Sequence, residues 1–203
     1  QKIDNGGIAA NTTAGFAAAT GEAVALLDHD DLLYPNALYE CAKALNEGAD
    51  FVYSDEIVLS ADLKKLGGYH FKPDFAPDYL RGCNYITHLA VFTRKLLDRV
   101  GAAEYSEFDG AQDHELFLRL TERAKKIVHI KQVLYVWRGH AGSTAAGMEA
   151  KPYAVEAGVR AVDAQLARLG LRGKAMPAPG APGAFQVRYE LNGRPLVSVL
   201  IPN

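Results

Sequence analysis

Residues 23–27, Ala-Val-Ala-Leu-Leu, run straight into Asp28-His29-Asp30-Asp31, and this junction constrains the fold more than any other part of the chain. A short, fully apolar run is the mark of a strand buried on both faces of a central sheet. Such a strand delivers four polar residues to its carboxyl end. Before it, residues 6–20 are Ala-rich and free of proline, which suits a helix that packs closely against a neighbour. After it, Pro35 opens a helix running to about Glu47, and Gly48 stands where a helix stop is expected. Phe51-Val52-Tyr53 then begins another strand. This alternation predicts an α/β fold with a mostly parallel sheet and flanking helices, in which ligands sit outside the carboxyl ends of the strands. The Asp cluster lies in that place.

Beyond Ser60 the pattern loosens, with Gly67-Gly68, Pro73 and Pro77 marking loops. A strand is expected over residues 86–92, a short helix after Thr93, a helix over 112–123, one or two strands over 127–137, and a long amphipathic helix over 151–169. Residues 175–184 are rich in Pro and Gly and read as a linker, followed by strand-like runs at 185–191 and 197–201.

Composition narrows the function. The 203 residues are 49% hydrophobic and 23% charged, with 22 basic against 24 acidic side chains. A net charge of −2 offers no excess to hold a nucleic acid backbone or an anionic bilayer, so no nucleic acid partner is expected. The two cysteines, Cys41 and Cys83, form neither a CxxC site nor a disulfide framework. A reducing cytoplasm fits that usage, and no apolar run approaches the ~20 residues of a membrane span.

Asp28-His29-Asp30 carries the first chemistry. In an extended segment residues i and i+2 share a face, so Asp28 and Asp30 can offer carboxylates to one ion while His29 points away. Oxygen ligands of that kind suit Mg²⁺ or Mn²⁺, which are often held by one or two carboxylates together with substrate phosphates. The competing interpretation is that Asp30 or Asp31 caps the following helix or builds an Asx turn.

Four segments in order extend the pattern: Asn5-Gly6-Gly7 through Asn11, with Thr20-Gly21-Glu22 leading into Asp28-His29-Asp30-Asp31; Phe51-Val52-Tyr53-Ser54-Asp55-Glu56; Gln112-Asp113-His114-Glu115; and Tyr135-Val136-Trp137-Arg138-Gly139-His140. Together they resemble the inverting family 2 glycosyltransferases over residues 5–145. The resemblance implies a GT-A-like, Rossmann-like fold, a nucleotide-diphosphate sugar donor (a UDP-sugar above all), Mn²⁺ or Mg²⁺ as cofactor, and a glycan or lipid-linked acceptor. It makes Asp28 and Asp30 metal and diphosphate ligands with Asp31 beside them, places Asn11 on the helix lining the donor pocket, and gives Arg138 to the diphosphate and His140 to the metal. Asp113 resembles the family's catalytic base, although Gln112 stands where the family has Glu, and His114 is a competitor for proton transfer. Asp55 and Glu56 face the acceptor or are plain loop charges. Cell-surface polysaccharide synthesis in the cytoplasm, beside the inner membrane face, is the expected setting.

Residues 195–203, Pro-Leu-Val-Ser-Val-Leu-Ile-Pro-Asn, resemble the opening strand of such a domain. The expected organisation is therefore residues 1–172 as the later portion of one transferase domain, 173–194 as a linker and connecting strand, and 195–203 as the start of the next. A portion lacking the first nucleotide-binding strands is expected to be inactive alone, and residues 197–201 are candidates for strand exchange in a dimer. Two other functions compete: a haloacid dehalogenase-type phosphatase, whose motif wants Thr or Val where Leu32 stands, and a non-catalytic sugar-nucleotide or glycan-binding module, suggested by Gln112.

Overall fold

The computed structural model describes residues 7–101, 106–139 and 152–201. The Ala-rich segment forms α1 (Ile8–Ala18) and the apolar run forms β1 (Ala23–Leu26). Next come β2 (Leu32–Leu33), α2 (Ala37–Asn46), β3 (Phe51–Ser60) and β4 (Leu66–His70). The chain continues through α3 (Pro77–Gly82), β5 (Ala90–Thr93) and α4 (Arg94–Val100). A 3-10 turn at Ser106–Phe108 leads to α5 (Gln112–Arg123), β6 (Ile127–Gly139), α6 (Pro152–Arg168), β7 (Gly173–Pro177) and β8 (Phe185–Tyr189).

The first six strands make one sheet in the order β1-β5-β3-β6-β2, with β4 attached to β3. The parallel pairing expected of an α/β sheet is carried by β3 and β6, whose ladder runs from Phe51 to Ser60 and is the longest in the sheet. The remaining pairings are antiparallel. Because β6 follows one edge of β3 along its whole length, β4 and β5 must share the other. β5 takes Phe51–Tyr53 and β4 takes Glu56–Leu59, so that edge changes partner around Ser54 and Asp55. The sequence places β1 in the middle of the sheet. It lies at one end, antiparallel to β5, and Leu27 beyond it is half exposed because only β5 flanks it among the described residues.

Alternation along β3 explains the layers. Phe51 and Tyr53 point into the larger core, with Phe16, Phe92, Leu118, Leu120 and Val162. Val52 points into a second core under α2, with Cys41, Val91, Leu134 and Tyr135. Phe51, fully buried, stacks on Phe92 at 6.2 Å and meets Phe117 edge-on at 5.8 Å, and burying a side chain of this size stabilises the fold by about 1.5–3 kcal/mol. Thr93 caps α4, its hydroxyl accepting from the Leu96 N–H at 3.2 Å.

The Pro/Gly-rich stretch is part of a docked hairpin. β7 and β8 pair antiparallel, and the Ala175 N–H donates to Asp163 of α6 at 2.7 Å. The Tyr189 hydroxyl donates to Asp78 of α3 at 2.7 Å. Gly158 permits the closest approach, since a Cβ there would lie 2.2 Å from the Phe185 ring. Residues 195–201 enter no ladder, and Leu196, Leu200 and Ile201 are exposed. An apolar run becomes a strand only when another strand accepts its backbone groups.

Candidate active site

The Asp cluster sits in a turn. β1 stops at Leu26, and the Asp31 N–H donates back to the Asp28 carbonyl at 3.2 Å, so the extended geometry that would place Asp28 and Asp30 on one face is absent. Asp31 is buried with both carboxylate oxygens engaged. Tyr135 donates its hydroxyl to Oδ2 at 2.6 Å and Arg138 its N–H to Oδ1 at 2.7 Å. Asp31 thereby ties the turn to β6. The Asp28 carboxylate is 63% exposed, open to a ligand, and a hydrogen bond from His88 holds it below the usual carboxylate range against the opposing effect of burial.

Asp28 opens onto a cleft of about 160 Å³. Ile8 and Thr12 of α1 line it together with His88, Gln112 and Asp113. Asp113 stands in the first turn of α5. Burial pushes its carboxyl above the usual range, the charge of Asp28 adds to that, and His88 and a bond from Gln112 act against it. Gln112 also accepts from the Gly110 N–H at 2.9 Å, closing the turn before the helix. His114, the next residue, faces the interior: it is buried, with Nε2 2.6 Å from the Leu80 carbonyl. Burial pushes its imidazole down to about 4. It does not line the cleft.

His88 is the residue that sequence reasoning missed. It lies ahead of β5, inside the run expected to be a strand. Its ring stacks on Tyr135 at 4.7 Å, with Nε2 3.5 Å from Asp28 Oδ2 and Nδ1 3.1 Å from Glu56 Oε2. Burial alone would lower its pKa, but the two carboxylates prevail and raise it to about 9. The signal was present: a histidine interrupting Ile86-Thr87-His88-Leu89-Ala90-Val91-Phe92 is an ionisable group inside an apolar segment. Thr87 beside it lines the cleft with a solvent-excluded hydroxyl that has no partner among the described residues. Asp55 and Glu56 are neither loop charges nor exposed, since β3 continues through them and buries both.

Ligand atoms of Asp28, Asp31 and His88 lie within 4.8 Å of one another. Two carboxylates and an imidazole suit a divalent cation that prefers oxygen. Asp28 fits best as its holder, having an open carboxylate, whereas Asp31 already accepts two hydrogen bonds. Asp30 stands outside this group, 3.7 Å from the His29 ring. Arg138 is half-buried, and its Nε is without a partner among the described residues. Asn11 is on α1 but is not among the residues lining the cleft. His140 lies outside the described residues.

A sequence profile described as "Glycosyl transferase family 2" matches residues 2–101, the stretch that carries α1, the Asp turn, Glu56 and His88. The match places residues 2–101 in glycosyl transferase family 2. The family assignment sets aside the phosphatase alternative. Protein y4gI of Sinorhizobium fredii is 42% identical over 204 residues, covering 98% of this chain and 22% of its own length. The O-antigen biosynthesis protein RfbC of Myxococcus xanthus is 39% identical over 199 residues, covering 97% of this chain and 15% of its own. The chain thus spans about a fifth or less of the length of these curated relatives. The crystal structure of S. aureus TarS 1–349 in complex with UDP-GlcNAc superposes with a TM-score of 0.58 at 14% identity, covering 82% of this chain and 48% of that one. The likeness places the fold with glycosyltransferases of the GT-A type. Among the described residues no helix is long and apolar enough to cross a membrane.

Proposed function

We propose that this domain transfers a sugar, with inversion, from a nucleotide-diphosphate sugar to an acceptor hydroxyl in the synthesis of a bacterial cell-surface polysaccharide. The observation that carries the proposal is the cleft lined by both Asp28 and Asp113, one carboxylate open and the other raised above the usual carboxyl range by burial. Asp28 would hold Mn²⁺ or Mg²⁺ against the donor diphosphate, with Asp30 and His140 as further candidates for the ion, Arg138 as a candidate for the diphosphate, and Asn11 on the helix beside the donor. When bound, such an ion would supply positive charge for the leaving diphosphate. Asp113 takes the proton from the acceptor hydroxyl as that oxygen bonds to the anomeric carbon. The bond from that carbon to the diphosphate oxygen breaks, and its electron pair leaves with the nucleotide. A carboxylate whose pKa is raised by burial is a stronger base than an ordinary one, which suits this step. The O-antigen role in the name of the Myxococcus relative supports the polysaccharide setting, and the UDP-GlcNAc in the TarS complex supports a UDP-sugar donor.

Mass-spectrometric screening of the full-length protein against UDP-, GDP- and dTDP-sugars, with acceptor glycans and Mn²⁺, tests the proposal. The expected result is sugar transfer that stops when the divalent ion is chelated. Binding of donor with no transfer to any acceptor would instead favour a non-catalytic sugar-nucleotide-binding module.

A further inference from the structure

Glu56 is 1% exposed in the middle of the sheet, where an isolated carboxylate would carry a large desolvation cost. Its partners offset that cost and define a direction. Oε1 lies 2.6 Å from His70 Nδ1. Oε2 accepts from the His88 backbone N–H at 2.5 Å and faces His88 Nδ1 at 3.1 Å. The Lys72 ammonium, 3% exposed, sits 3.9 Å from the same oxygen and donates to the carbonyls of Ile86 and His88, pinning the segment that carries His88. The imidazole, clamped against Tyr135 and beside Trp137, then turns its other nitrogen to Asp28 at the cleft. A buried carboxylate therefore reaches an open one through a single histidine ring.

We propose that Glu56 is a positioning residue of the donor site: acting through His88, it fixes Asp28 so that one carboxylate oxygen faces the imidazole and the other is presented to the cation and diphosphate. The inference rests on Asp28 being the cation and diphosphate ligand under the proposed function. Fold alone does not account for the arrangement, because Glu56 has His70 and Lys72 as partners without His88. Losing the hydrogen-bond partner that orients a metal ligand typically weakens metal affinity by about 10–100-fold, and here His88 is that partner for Asp28, with Glu56 holding it.

The test measures, by calorimetry on the full-length protein, Mn²⁺-dependent binding of whichever of UDP, GDP or dTDP the wild type holds most tightly. Metal-free thermal unfolding runs alongside. Glu56→Ala is expected to weaken binding by about 10–100-fold. Glu56→Gln recovers most of that loss, since its amide oxygen can accept from His88 while its NH₂ faces His70. His88→Asn keeps a donor toward Glu56 but falls short of Asp28, so it is expected to bind like Glu56→Ala at a temperature where metal-free unfolding shows it folded. In an Asp28→Asn background none of these changes weakens binding further. Wild-type affinity in His88→Asn, or losses in the Asp28→Asn background equal to those in wild type, would overturn the proposal. Should Glu56→Ala fail to fold, Glu56→Gln and His88→Asn still decide it. If the wild type itself shows no divalent-dependent nucleotide binding, or if Asp28→Asn leaves that binding unchanged, the proposed function of the site falls, and the positioning role with it.

Discussion

Two histidines withdrawn from solvent behave in opposite ways. His114, under α5, is pushed down to about 4 because burial acts with only the Leu80 carbonyl against it. His88, at the cleft, is raised to about 9 because Asp28 and Glu56 outweigh burial. Burial disfavours the charged imidazole at both places, so the placement of carboxylates decides the outcome. The same contrast divides neighbouring residues of α5: Asp113 lines the cleft while His114 stacks near Phe185 in the interior. At the cleft the carboxylates face a histidine; further along α5 the buried Glu115 is instead paired with Arg119 at 2.7 Å, and His114 is left without a carboxylate partner and stays neutral.

The largest effect expected to sharpen this contrast comes from Asp113→Asn. Turnover should fall by about 10²–10⁴-fold, the usual range for a general base, with donor affinity spared because proton removal belongs to the transition state. Stability should move the other way. A carboxyl whose folded pKa is raised contributes stability below its unfolded value and loses it as pH rises through the folded one. At neutral pH in metal-free buffer the variant should therefore unfold at a higher temperature than wild type. A lower midpoint, or a loss of turnover under ~10-fold, would contradict the base assignment.

On the core side the prediction concerns acid. His114 has a folded pKa near 4, below its unfolded value of about 6.5, so its neutral form is favoured in the fold. Stability is fully present above the unfolded value and declines as pH falls from about 6.5 toward 4, by a total on the order of 3 kcal/mol. Denaturant titrations across that interval should show the decline, and His114→Gln, which can still donate to Leu80, should flatten it. An unchanged slope in His114→Gln would break the comparison between the two histidines.

Much of this organisation was legible beforehand. α5 and α6 follow from amphipathic spacing, and α2 follows from Pro35 and Gly48, because a helix records its period and its stops locally. Asp28-His29-Asp30 draws attention because closely spaced carboxylates after an apolar run suggest chemistry on their own, whereas Asp113 is singled out only by the resemblance to family 2, an acidic residue in a helix's first turn being common whatever the function. The floor of the site was not legible, for a physical reason. Asp55 and Glu56 read as charges beyond the end of a strand because charges seldom sit inside one; only the tertiary partners His129, Lys72, His70 and His88 make their burial tolerable, and those partners come from three separate segments. The docked hairpin escaped similarly: Pro and Gly between residues 175 and 184 describe a turn or a linker equally well, and Phe185 against Gly158 decides between them.

The smallest effect separates the two acidic residues that share the turn. Tyr135 is fully buried and donates to Asp31 Oδ2 at 2.6 Å, while its oxygen accepts from the Asp28 N–H at 3.3 Å. Tyr135→Phe keeps the ring that stacks on His88 and removes only these two bonds. A buried carboxylate losing a donor costs about 1–3 kcal/mol, and here the low end is expected because Arg138 still donates to the other oxygen. Unfolding should therefore shift modestly. If Asp31 serves as an anchor for the turn and Asp28 as the ligand, divalent-dependent nucleotide affinity should change by far less than the ~10-fold seen when a ligand's support is lost. Freeing Asp31 Oδ2 would instead alter that affinity strongly if Asp31 were itself a ligand. A change of about 10-fold or more without a matching loss of stability would reassign the cation from Asp28 toward Asp31.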